Sequence, residues 1–134
     1  MYIGSYELKL DEKNRFFMPS NFLTGDTYIL TYIDKDLVLI KDANGWNAES
    51  LIDASKSKYD KTKLIDYINA NSYICKLYGR RITIPIEIIK KLDFSRSITL
   101  VGCVDLIKMY DTFNYLETQY NEEVVRDLKK CINS

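Results

Sequence analysis

Histidine is absent from this 134-residue sequence, proline occurs twice, glycine five times and cysteine three times, and 19 lysines and arginines balance 19 aspartates and glutamates. Each shortage removes a class of function. Without histidine, the commonest general base and the commonest metal-binding imidazole are both missing. Sparse glycine leaves no glycine-rich phosphate loop. The cysteines, Cys75, Cys103 and Cys131, are odd in number and never spaced as Cys-x-x-Cys, which argues against a disulfide framework and against zinc. They read as reduced, packed side chains of a cytoplasmic protein, and no metal or cofactor is expected. No window approaches about 18 uninterrupted apolar residues. The opening MYIGSYELKL also lacks a basic start followed by an apolar stretch, so neither a membrane span nor a secretion signal is expected. A formal charge of zero and a pI near 6.3 mean that no overall field draws the chain to nucleic acid, so any such binding must come from local charge. The adjacent carboxylates Asp11 and Glu12 point apart on a strand or turn and read as solvated turn charges. Neither an enzyme nor a small-molecule substrate is expected.

What is present is organised around Tyr6 to Phe22, YELKLDEKNRFFMPSNF. Tyr6, Leu8 and Leu10 alternate with Glu7, Lys9 and Asp11, the period-two pattern of a half-buried strand. The polar run Asp11 to Asn14 then reverses the chain, with Asn14 able to take positive φ. A second strand, Arg15 to Met18, completes an expected hairpin. Pro19 suits the first turn of a helix, and Gly25 stops it. Strands Tyr28 to Ile33 and Leu37 to Ile40 follow, joined by a turn at Asp34 to Asp36.

The same order returns in SYICKLYGRRITIPIEII, Ser72 to Ile89. Setting Pro85 on Pro19 places Arg81 on Arg15, Ile82 on Phe16, Ile84 on Met18 and Ile88 on Phe22. Asp105 to Ile107 repeat Asp36 to Val38, and Tyr115 repeats Trp46, so the two copies lie roughly 66 to 69 residues apart. Two units of this length suit a duplicated domain that packs its halves together rather than a solenoid. Behind Pro85, Ile86, Ile88, Ile89 and Leu92 are expected to face inward, with Lys90 and Lys91 outside. Strands Ile98 to Cys103 and Leu106 to Tyr110 follow.

Between the copies, Lys41 to Asn71 reads as two helices separated by the polar loop Ser55 to Lys63, with Leu64, Ile65 and Ile68 forming an apolar stripe. At the other end, Asp111 is a candidate N-cap for a final helix in which Leu116, Tyr120, Val124, Leu128 and Ile132 recur every four residues. That stripe needs a partner surface, either its own subunit or a neighbouring one.

The opening YIGSYELKLDEKNRFFMP, the Asp-x-x-x-Arg of Asp11 to Arg15 and the later RRITIP closely resemble the MraZ family of bacterial transcriptional regulators. The resemblance runs from about Met1 to Glu117. It implies an α+β, mainly β fold of two AbrB-like halves of swapped-hairpin or double-ψ-barrel type, with short helices and a C-terminal helix. The implied divisions are a first AbrB-like repeat over 1–47, a helical linker over 48–71, a second repeat over 72–117 and a C-terminal helix over 118–134. It also implies a ring of several subunits that binds short double-stranded DNA repeats in the promoter of the division and cell-wall gene cluster, in the cytoplasm and associated with the nucleoid.

The two hairpin tips carry the candidate chemistry: Lys13, Asn14 and Arg15 in the first copy, Arg80 and Arg81 in the second. Arginine can grip a phosphate bidentately or pair with guanine in the major groove, which a two-stranded ribbon can enter. Arg15 reads equally as a DNA contact or as a loop-orienting partner of Asp11, and Asp11 reads as hairpin-orienting because a carboxylate near phosphates would repel. The second tip departs from the family pattern. Leu77 stands four residues before Arg81 where an Asp is expected, Gly79 comes one residue early, and Arg80 takes a place usually held by glycine or asparagine. An alternative is an AbrB-like module of antitoxin type, with a protein as main partner and the C-terminal helix as its contact.

Overall fold

The computed structural model describes residues 1–113. It is mainly β, with eight strands in two antiparallel sheets and few helical segments. Strands β1 (Ser5–Lys9), β2 (Arg15–Phe17), β3 (Thr27–Asp34) and β4 (Leu37–Asp42) come first. The helix α1 (Lys61–Ala70) then leads into β5 (Ser72–Lys76), β6 (Arg81–Thr83), the single turn α2 (Ile86–Ile89), β7 (Ser97–Gly102) and β8 (Ile107–Asp111).

The strand order is β1-β7-β8-β4-β3-β5 in the six-stranded sheet and β2-β6 in the ribbon. This corrects the expected opening hairpin. β1 and β2 are joined by a tight turn but do not pair with each other: β1 lies on β7, with Leu8 opposite Ile98, and β2 lies on β6, with Phe16 opposite Ile82. Correspondingly, β5 lies on β3, with Cys75 opposite Tyr28, rather than on β6. The true hairpins are β3–β4 and β7–β8. Alternation predicts which face of a strand is buried, and it holds for β1, where Tyr6 and Leu8 are half-buried and Glu7 and Lys9 are exposed; the pattern carries nothing about which strand lies alongside.

One contiguous core joins the sheet to the ribbon. Phe16, Met18, Phe22, Ile82, Ile84 and Ile88 from the ribbon side meet Tyr28, Leu30, Ile40, Ile98, Leu100 and Met109 from the sheet, all essentially closed to solvent. Tyr2 and Tyr6 stand edge-on to the Phe22 ring, at centroid distances of 5.8 and 5.1 Å, a favoured aromatic geometry. The Tyr28 hydroxyl donates to the Phe22 carbonyl at 2.7 Å, so the 3-10 turn Ser20–Phe22 is tied to the sheet it packs on. Pro19 and Pro85 precede equivalent turns with almost the same backbone, φ −55° and −56° and ψ 142° at both.

Three further expectations change. The first of the two helices between Lys41 and Asn71 is instead a pair of short 3-10 turns, Ala48–Leu51 and Ala54–Lys56. α1 starts inside the expected loop, because Asp60 caps it by accepting from the Thr62 N–H at 2.7 Å. Ile68 of its stripe is buried, while Leu64 and Ile65 are half-buried. Ile86 does not face inward: it is 54% exposed, because α2 is one turn long and offers only the Ile88 side to the core. The residues proposed for a C-terminal helix, Leu116, Tyr120, Val124, Leu128 and Ile132, lie outside the described residues, as do Tyr115 and Cys131. Asp111 itself ends β8, and its Oδ1 accepts from both the N–H and the hydroxyl of Ser95 at 2.7 Å.

Candidate nucleic-acid interface

The turn between β1 and β2 is built by one carboxylate. Asp11 Oδ1 accepts from the backbone N–H groups of Lys13 and Arg15, each at 2.9 Å, and Oδ2 accepts from Arg15 Nε at 2.7 Å. The backbone closes around it: Asp11 N–H donates to the Arg15 carbonyl and Asn14 N–H to the Asp11 carbonyl, at 2.9 and 3.0 Å. Partial burial opposes the charged form of Asp11, but the hydrogen bonds from the Arg15 backbone, the Arg15 side chain and Lys13 outweigh it and hold the carboxyl below its ordinary value. Asn14 adopts φ 59°, as expected for its place in the turn. The guanidinium of Arg15 is therefore aimed by its own turn, with its Nη groups left beyond the Asp11 contact.

The turn between β5 and β6 is one residue shorter. Tyr78 and Arg81 exchange both backbone hydrogen bonds, at 2.9 and 3.0 Å, and the two residues between them, Gly79 and Arg80, have φ 56° and 66°. Positive φ at both central positions is the signature of a type I′ turn. This refines the alignment of the two tips. Leu10 N–H donates to the Arg96 carbonyl and Leu77 N–H to the Asp26 carbonyl, both at 2.8 Å, so Leu77 corresponds to Leu10. Tyr78, not Leu77, stands at the place of Asp11. The tyrosine is 72% exposed and supplies no carboxylate. Arg81 instead stacks on Phe17, its guanidinium carbon 4.5 Å from the ring centroid, and it makes no ion pair among the described residues.

The ribbon joins the two tips, which leave from its opposite ends, and sets their arginines on one face. In the β2–β6 register Arg15 faces Thr83 and Phe17 faces Arg81. Phe16 and Ile82 point into the core, so Arg15, Phe17, Arg81 and Thr83 share the outer face. Arg15 and Arg81 are diagonal neighbours on it, their Cβ atoms roughly 7–8 Å apart by ordinary sheet geometry. Beside them a shallow recess of about 300 Å³ is lined by Asp11, Glu12, Lys13, Arg15 and Arg81. Lys13, Arg15 and Arg81 are thus gathered at one site. Arg80 does not line this recess; at the other end of the ribbon it donates from Nη2 to the Met18 carbonyl at 3.3 Å.

One residue of this site was not legible in the sequence. Arg96, in the loop before β7, donates from Nη1 to the Asp11 carbonyl at 2.7 Å and to Asn14 Oδ1 at 3.1 Å. It is 85 residues from Asp11 in sequence, and no local pattern marks it. Among the described residues no group of three or more His, Cys, Asp or Glu side chains could hold a metal ion, and no helix is long and apolar enough to cross a membrane. Cys75 and Cys103 are unbridged, and burial pushes the Cys75 thiol up to about 11, far from a reactive thiolate.

No family model matches the chain. Curated proteins to which it is similar include three named "Transcriptional regulator MraZ". The one from Dictyoglomus thermophilum is 27% identical, with 100% of this chain and 94% of the relative covered. That from Dictyoglomus turgidum is 25% identical, covering 97% of this chain and 92% of the relative. The third, from Mycoplasmoides gallisepticum, is 28% identical and covers 91% and 88%.

Proposed function

These relatives support an MraZ family assignment for the chain, and from that premise we propose that it is a DNA-binding transcriptional regulator, not an enzyme, that reads duplex DNA with the outer face of the β2–β6 ribbon. The observation that carries this reading is the convergence of Arg15 and Arg81 on one exposed face, from turns far apart in sequence. A two-stranded ribbon is narrow enough for the major groove, where arginine pairs bidentately with guanine O6 and N7. Arg15, aimed by Asp11, suits base reading. Lys13, Arg80 and Arg81 suit phosphates, and Asn14 can add an amide contact.

A chain of zero net charge with a few basic tip residues binds one DNA site weakly. Each phosphate contact contributes about −0.9 to the slope of log affinity against log salt. Joining several tips in a homo-oligomer raises affinity by roughly 10²- to 10⁴-fold without a new contact. The proposal therefore includes an assembly, a ring of subunits engaging short promoter repeats of the division and cell-wall genes, acting in the cytoplasm at the nucleoid. It also includes the duplicated organisation, with AbrB-like halves over 1–47 and 72–117, a linker over 48–71 and a C-terminal segment over 118–134.

The test is fluorescence anisotropy on a labelled duplex from upstream of the protein's own coding sequence, against a scrambled duplex of equal length. Wild type is compared with the Arg15→Ala, Arg81→Ala double variant, and light scattering checks that both have the same mass. Preference for the native duplex, lost in the variant at unchanged mass, is the expected outcome. Equal affinity of wild type for both duplexes would sink the regulator reading for this promoter.

A further inference from the structure

We infer that Arg96 is a positioning residue for the first DNA-reading tip: it braces the Asp11–Arg15 turn from the loop that enters the neighbouring strand β7, without touching DNA. This rests on the ribbon-reading proposal and names how one half of that site is kept in shape. The bracing geometry is specific. Arg96 Nη1 reaches both the Asp11 carbonyl, at 2.7 Å, and Asn14 Oδ1, at 3.1 Å. It thereby spans the turn across its mouth, fixing the Asn14 amide with its oxygen toward Arg96. The same residue's carbonyl accepts from Leu10 N–H at 2.8 Å, so main chain and side chain grip the turn at its entrance and at its tip.

Arg96 is itself anchored. Its neighbour Ser95 donates twice, from N–H and hydroxyl, to Oδ1 of the buried Asp111 at 2.7 Å. Arg96 also lines a cleft of about 200 Å³ with Leu10, Asn14, Ile89, Leu92 and Phe94. A charged donor to a carbonyl makes a stronger bond than a neutral pair.

Among the described residues the second tip has no such brace. The main-chain acceptor matching Arg96 is Asp26, whose side-chain Oδ1 accepts from the adjacent Thr27 hydroxyl at 3.1 Å, and the tip is closed by its own two-residue turn. A three-residue turn carrying the DNA-aimed Arg15 needs outside support that the shorter one does not.

The experiment uses the whole chain and four variants, Arg96→Met, Arg96→Lys, Asn14→Ala and the Arg96→Met, Asn14→Ala double variant, on the duplex from upstream of its own coding sequence. Arg96→Met is expected to weaken binding by about tenfold, the size of one lost charge-assisted hydrogen bond, with the slope of log affinity against log salt unchanged. Arg96→Lys is expected to restore part of it, since an ammonium can reach one acceptor but not fork across two. Arg96→Met combined with Asn14→Ala is expected to cost less than the product of the single effects. In the DNA-free protein, trypsin should cut after Lys13 faster in Arg96→Met than in wild type at equal melting temperature.

A salt slope reduced by about 0.9 in Arg96→Met means that Arg96 meets a phosphate, and the positioning role falls. Unchanged affinity together with unchanged cleavage at Lys13 overturns it as well. If wild type fails to prefer its own duplex, the ribbon-reading proposal fails. Cleavage at Lys13 then still decides whether Arg96 braces the turn.

Discussion

Asn14 and Arg80 occupy the same left-handed backbone region, φ 59° and 66°, and each gives its carbonyl to the strand that leaves the other tip. Ile84 N–H donates to the Asn14 carbonyl and Met18 N–H to the Arg80 carbonyl, both at 2.9 Å. Each turn is thus stitched to the far end of the other's strand as well as closed on its own. Asparagine tolerates this conformation, whereas a long side chain there costs about 1–2 kcal/mol.

Arg80→Asn should therefore stabilise the fold by about 1 kcal/mol, raising the melting temperature by roughly 4 °C for a chain of this size. DNA affinity should move the other way, with the salt slope shallower by about 0.9 for one lost phosphate contact. Calorimetry and anisotropy on the same variant check both directions. A drop in stability would mean that the Arg80 side-chain bond to Met18 outweighs the backbone strain.

The depressed Asp11 carboxyl fixes a sign for pH dependence. Because its folded pKa lies below the ordinary 3.8, its contribution to stability is complete above 3.8 and is lost as pH falls through the lower folded value. A carbon-detected NMR titration should place the Asp11 midpoint below 3.8, and in Arg15→Ala the midpoint should move back toward 3.8. A wild-type midpoint at or above 3.8 would contradict the bonding described for this turn.

Phe22→Ala should cost about 3–5 kcal/mol in urea denaturation. Its ring is fully buried between Tyr2, Tyr6 and the ribbon, so truncation leaves a cavity bounded by both layers. DNA binding at a temperature where the variant is still folded should change little, since Phe22 is not on the outer face.

Gly102→Ala should destabilise by about 3 kcal/mol, the upper end of overpacking costs. A Cβ there would lie 2.5 Å from the Tyr2 backbone carbon and oxygen, where no flexible side chain can yield. The bonds that fail first should be those holding the N-terminal residues, Tyr2 N–H to the Val104 carbonyl and Gly102 N–H to the Gly4 carbonyl. Amide exchange at Tyr2 and Gly102 would report their loss.

Cys75, buried and pushed up to about 11, should alkylate at pH 8 about tenfold more slowly than Cys103 in the native protein. Peptide mass spectrometry after timed iodoacetamide exposure measures the ratio, and equal rates would show that the β5 edge opens readily.

Much of this protein is decided residue by residue along the chain. The alternation of Tyr6, Leu8 and Leu10 sets the buried face of β1. Asn14 and Gly79 mark chain reversals, Pro19 and Pro85 open matching turns, and the spacing of Arg15 and Arg81 behind those turns assigns them to the tips. These signals are legible because each depends on φ preferences and side-chain period within a few residues. The tertiary structure decided the partners. β1 chose β7 over β2, β5 chose β3 over β6, and β2 and β6 chose each other, and in that arrangement Phe16, Met18, Ile82 and Ile84 are buried in the core shared with the sheet. The outer face that unites Arg15 with Arg81, and the reach of Arg96 across 85 residues to the Asp11 carbonyl, follow from that choice. A period of two specifies a face, and only packing specifies a neighbour.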